Sequence, residues 1–191
     1  MIRYDIGMII NTEFYPQVPR KQLSKALKHV LRAHNVPDGA GIRLKITTDE
    51  EVRALNKQHR AVDAPTDILS FPAEQFSAET LEGMRAAADL LGAEAQQELA
   101  ELAEKPYLGD LIIALPYVQR HAAALGHPLA DELVLLVVHG ALHLLGYDHD
   151  NAENQARMWQ KQAELLAALG ITSIHVPLFT FGDSNEDADA G

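Results

Sequence analysis

A chain of 191 residues, 47% hydrophobic and 23% charged, can bury the core of one domain and is too polar overall for a membrane protein. Its net charge of −11 argues against nucleic acid as a bulk partner, because phosphate binding leans on Lys and Arg. The absence of cysteine excludes disulfides and thiolate ligands, fits a reducing cytoplasm, and leaves imidazole and carboxylate for any metal site.

No basic stretch followed by an apolar run opens the chain, so an export signal is not expected. Residues 4–10 have the β-branched richness of a strand, and 11–19 read as a loop. From 20 to 34, Leu23, Ala26, Leu27, Val30 and Leu31 recur at helical spacing, with Lys21, Lys25, Lys28 and Arg32 on the opposite side. This basic helix belongs to an uneven charge distribution. The first 60 residues hold 11 Lys and Arg against 6 Asp and Glu, whereas the rest hold 5 against 21. One end can therefore face an anionic partner, although on charge alone a solvated amphipathic helix is the simpler explanation.

Pro37, Asp38 and Gly39 break the helix, and 41–47 alternate as a half-buried strand should. Thr48 or Asp49 caps the next helix, with Glu50 and Glu51 in its first turn. Residues 60–65 form a loop before a short strand, 68–71, that Pro72 ends. The Ala-, Glu- and Leu-rich stretch 74–105 reads as a helical insertion. A buried strand at 108–115 leads into a helix that Pro116 opens and Gly126 closes. Residues 129–145 are almost wholly apolar, which makes that helix a central one. A last helix spans about 151–169 and stops at Gly170, and the acidic end 182–191 is expected to be disordered.

The chemistry concentrates at the end of the central helix. His139 and His143 stand four apart, so their imidazoles project from one face, and Gly146 allows the chain to turn back and bring in His149. Three neutral nitrogens with an open fourth position are the pattern of catalytic zinc, and one Zn2+ ion is the expected cofactor. A core histidine satisfied by one hydrogen bond is the ordinary explanation for a lone His in an apolar helix, but three within eleven residues beside Gly and Asp exceed what packing requires. The same spacing occurs in metzincin peptidases, where the residue after the first His is the general-base Glu. Here it is Gly140, which cannot take a proton.

The run His139-Gly140-Ala141-Leu142-His143-Leu144-Leu145-Gly146-Tyr147-Asp148-His149 resembles the signature of the YbeY-type endoribonucleases. Two further stretches are similar to that family: Leu55-Asn-Lys-Gln-His-Arg60 with Pro65-Thr-Asp-Ile-Leu-Ser-Phe-Pro72, and Leu108-Gly-Asp-Leu-Ile-Ile-Ala114. The resemblance covers most of 40–170, and the longer segment 74–105 and the acidic tail depart from it. It implies a single α/β domain over 1–181, with a mixed sheet of about four strands, helices packed on it and a central metal-binding helix, followed by the tail 182–191.

The resemblance also implies a zinc-dependent endoribonuclease specific for single-stranded RNA, acting in ribosomal RNA maturation and associating with ribosomes or their precursors, with no membrane or DNA partner. It carries over His139, His143 and His149 as metal ligands and Arg60 as the basic catalytic residue of the cleft. A guanidinium suits that place because it presents a planar donor fork to phosphate and keeps its charge. The bland explanation for Arg60 is a surface ion pair with Asp63 or Asp67. Asp148 or Asp150 either steadies a ligand imidazole or caps the turn, while His59, His121 and His127 are weaker candidates, more simply structural or solvated. The attacking oxygen, an activated water or the neighbouring 2′-hydroxyl of RNA, is left open. The rival expectations are a zinc peptidase and a non-catalytic ribosome-assembly factor.

Overall fold

The computed structural model describes residues 3–73, 90, 92–94 and 106–172. Within these residues four strands form one sheet: β1 (Asp5–Ile10), β2 (Gly41–Thr47), β3 (Ile68–Pro72) and β4 (Tyr107–Ala114). Five α-helices accompany it: α1 (Arg20–Ala33), α2 (Asp49–Arg60), α3 (Leu115–Leu125), α4 (Leu129–Leu144) and α5 (Ala152–Ala168). The strand order is β1-β2-β4-β3, with β1, β2 and β4 parallel and β3 antiparallel to β4. The expected mixed four-stranded α/β sheet is therefore present. The expected insertion 74–105 lies almost entirely outside the described residues, and the tail 182–191 lies wholly outside them.

Alternation in β2 puts Ile42, Leu44 and Ile46 on one face, and Leu111 and Ile113 of β4 join them. Against this face pack Leu23, Leu27, Val30 and Leu31 of α1 and Leu133, Val137, Ala141 and Leu142 of α4, all within one buried cluster. A smaller cluster on α2 and the other sheet face holds Val52, Leu69 and Ala114. The apolar α4 is thus central because its neighbours lie on several sides.

The segment 11–19 departs from the expected loop. Thr12–Gln17 form a 3-10 helix that buries Phe14, a turn too short to leave a periodicity in the sequence. The cap of α2 is Thr48, whose side-chain oxygen accepts from the Glu51 amide. Glycines set two close approaches near the centre of the molecule. Gly109 has φ +135°, and a Cβ there would sit 2.2 Å from the Phe71 carbonyl oxygen, so the β3–β4 pairing requires glycine. Gly140 lets α4 lie on the sheet: a Cβ would meet Leu111 Cδ2 at 2.7 Å and Ile68 Cδ1 at 2.9 Å.

Candidate metal centre

One turn of α4 separates His139 from His143, and their rings meet edge to face with centroids 4.7 Å apart. The helix then ends in a turn in which Gly146 takes φ +87° and the Tyr147 amide donates to the Leu142 carbonyl at 3.0 Å. That reversal carries His149 back over the other two rings, 5.0 Å from His143 and 5.8 Å from His139 between centroids. One nitrogen from each ring can be chosen so that all three lie within 4.8 Å of one another. The trio expected from spacing is therefore assembled, with His149 on the solvent side.

Hydrogen bonding decides which nitrogens face inward. His143 Nδ1–H donates to the Tyr147 carbonyl at 3.0 Å, and His139 Nδ1–H donates to Gln162 Oε1 at 3.0 Å. With both protons on Nδ1, both Nε2 atoms carry lone pairs, and these two atoms face each other at 3.1 Å. Two opposed lone pairs repel unless a cation lies beside them, so the donor set fits a divalent metal with an affinity for nitrogen. The indole of Trp159 walls the pocket, 5.8 Å from the His139 ring and 5.9 Å from His149.

Burial favours the neutral form of the two helical ligands. Burial, reinforced by neighbouring His143 and His149 and only partly opposed by Gln162, pushes His139 down to about 3. His143 is lowered chiefly by burial and then by His149, against the opposing pull of Asp148 and the Tyr147 carbonyl. The charge of Arg60, an exposed residue at the C-terminal end of α2, acts on His143 in the same lowering direction and is the smallest of these influences. Neither bland partner holds it. Asp63 accepts from Arg53 and Lys57 at 2.7 Å each, and Asp67 accepts from the Ile68 amide and the Thr66 hydroxyl.

Other expected residues fall elsewhere. Asp148 accepts from the His149 amide and Asp150 from the side chains of Asn151 and Asn154, so both fasten the turn instead of an imidazole. His127 Nδ1 lies 2.8 Å from the buried carboxylate of Glu132, and His121 lies 3.9 Å from it, two turns of α4 before His139. His59 packs edge-on against Phe71. Sequence reasoning missed Gln162 and His34. The first is a buried amide among the apolar positions Met158, Leu165 and Leu166 of α5, a polar residue at an inward register. The second, at the end of α1, accepts from the Tyr147 hydroxyl at 3.2 Å while its Nδ1–H donates to the Val30 carbonyl.

The family model described as Endoribonuclease YbeY matches residues 9–170. A protein named Endoribonuclease YbeY from Geobacillus kaustophilus is 38% identical over 150 residues, covering 78% of this chain and 86% of that protein. One of the same name from Shouchella clausii is 32% identical over 167 residues, covering 87% and 96%. The solution structure of TM1509 from Thermotoga maritima superposes with a TM-score of 0.48 at 22% identity, over 88% of this chain and 89% of that one.

Proposed function

The chain belongs to the YbeY endoribonuclease family, and from that premise we propose that it is a zinc-dependent, single-strand-specific endoribonuclease of the cytoplasm, acting in ribosomal RNA maturation and ribosome quality control. The support for this reading is the convergence of the three imidazoles of His139, His143 and His149, together with an Arg60 whose charge is felt at His143 and which pairs with no carboxylate among the described residues. The catalytic unit is residues 1–181, with 182–191 an acidic tail outside it.

His139, His143 and His149 would hold the ion. When bound there, a zinc ion lowers the pKa of a water and polarises a phosphoryl oxygen. Arg60 grips a phosphate of the scissile linkage through its donor fork and offsets charge that develops on the non-bridging oxygens. Solvent exposure on the His149 side leaves an approach for a flexible single strand, whereas a duplex holds its phosphates on a rigid cylinder. The solvated face of α1, with Lys21, Lys25 and Arg32 exposed, supplies backbone affinity without base reading. Ribosomal particles supply the remaining targeting.

A peptidase of the same spacing would need a Glu at position 140. A side chain there would run into Leu111, Ile68 and Ser70, so the general base of that chemistry has no room.

The test is cleavage of a labelled single-stranded RNA and of its duplex. Wild-type protein is expected to cut the single strand alone, and Arg60→Ala to slow cutting by about 10²- to 10³-fold with circular dichroism and zinc content unchanged. An Arg60→Ala protein that cuts at the wild-type rate would contradict the assignment.

A further inference from the structure

We infer that Gln162 is a positioning residue for the metal centre: its side-chain oxygen holds His139 in the one tautomer and ring orientation that turns Nε2 toward the ion. The inference rests on the reading of His139, His143 and His149 as ligands.

Three observations carry it. Gln162 is 1% exposed and occupies the buried face of α5 beside Met158 and Leu165, where an apolar side chain would serve packing as well. Its Oε1 lies 3.0 Å from His139 Nδ1. An imidazole that binds an ion through Nε2 keeps its proton on Nδ1, and of the two ends of an amide only the oxygen can accept that proton. The neighbouring ligand is held by the same device in a different form, since His143 Nδ1–H donates to the Tyr147 carbonyl. The two helical ligands are thus oriented by acceptors from two separate places, the turn after α4 and the inner face of α5. Gln162 ties α5 to the chemistry of α4 by a hydrogen bond to a residue 23 positions away along the chain. A neutral acceptor also leaves the ligand less basic than a carboxylate would, which places this centre at the weaker end of the acceptors that orient zinc-binding histidines.

The experiment measures zinc affinity of the full chain by competition with a chromophoric chelator, for wild type, Gln162→Leu and Gln162→Glu. Gln162→Leu keeps the size and removes the acceptor, and it is expected to bind zinc about 10- to 100-fold more weakly. Gln162→Glu keeps an acceptor and is expected to bind at least as tightly as wild type. A purely structural role predicts a lower melting temperature in both variants with unchanged zinc affinity, and that result overturns the inference. Equal weakening in both variants overturns it as well. In zinc-loaded wild type, long-range ¹H–¹⁵N spectra must show His139 ligated through Nε2 and protonated at Nδ1; ligation through Nδ1 overturns the inference even where Gln162→Leu fails to fold. Wild-type protein that takes up no zinc overturns the ligand reading itself, and this inference with it, whereas wild-type uptake with undiminished affinity in Gln162→Leu overturns this inference alone.

Discussion

His139 is a base that the fold keeps from acting as one. In an unfolded chain its imidazole takes up a proton near pH 6.5, whereas burial beside two other histidines delays that to about 3. Between those values the unfolded state binds the extra proton, so stability rises with pH across the window and is lost as pH falls. The slope from this one group is about 1.4 kcal/mol per pH unit. Denaturation of metal-free protein at pH 7, 6 and 5 is expected to show the loss, and His139→Gln to flatten the slope by about that amount; parallel slopes would contradict it. At this scale the sequence speaks unevenly. His139 and His143 are legible because an i, i+4 pair on a helix is fixed by local geometry. Gln162 is marked only as a polar residue at an inward register of α5, and its partner lies on another helix, so the sequence does not say what it meets. Arg60 was reached only through the resemblance, since its approach to the centre depends on how α2 sits against the sheet.

At the scale of the element, α4 owes its place to a missing side chain. Gly140 lies against β3 and β4 so closely that a single added carbon meets Leu111 and Ile68 below 3.0 Å. Glycine inside a helix costs about 1 kcal/mol relative to alanine, so its presence there means that contact with the sheet outweighs propensity. Gly140→Ala is expected to gain that propensity and lose about 1–3 kcal/mol to overpacking, a net loss of about 1 kcal/mol. Gly140→Glu is expected to lose at least about 3 kcal/mol, because it adds a buried charge. Urea denaturation of the two variants checks both, and an Ala variant more stable than wild type would contradict the packing argument. Element ends were legible where Gly or Pro mark them: Gly126 and Gly170 both take positive φ just beyond α3 and α5. The 3-10 turn at Thr12–Gln17 was not, because six residues hold too little periodicity to tell from a loop.

Across the whole molecule, the layout joins distant segments around one end of α4. The sheet order β1-β2-β4-β3 seats β4 between β2 and β3, and no local signal encodes such pairing; the alternation in each strand says only which face is buried. The end of α1 reaches the same place through His34 and Tyr147, so a basic helix and the histidine turn are neighbours despite lying at opposite ends of the sequence. The bulk negative charge, which first argued against nucleic acid, is carried mainly after residue 60, leaving the first part of the chain positive. That arrangement leaves the first part of the chain better suited to face RNA than the rest. The proposed activity depends on an ion at the three histidines. The most direct measurement is therefore zinc titration into metal-free protein during cleavage of a single-stranded RNA. Cleavage is expected to be absent without metal and to rise to a plateau at one zinc per chain, with His143→Ala inactive throughout. Cleavage by the metal-free protein, or undiminished cleavage by His143→Ala, would contradict the account.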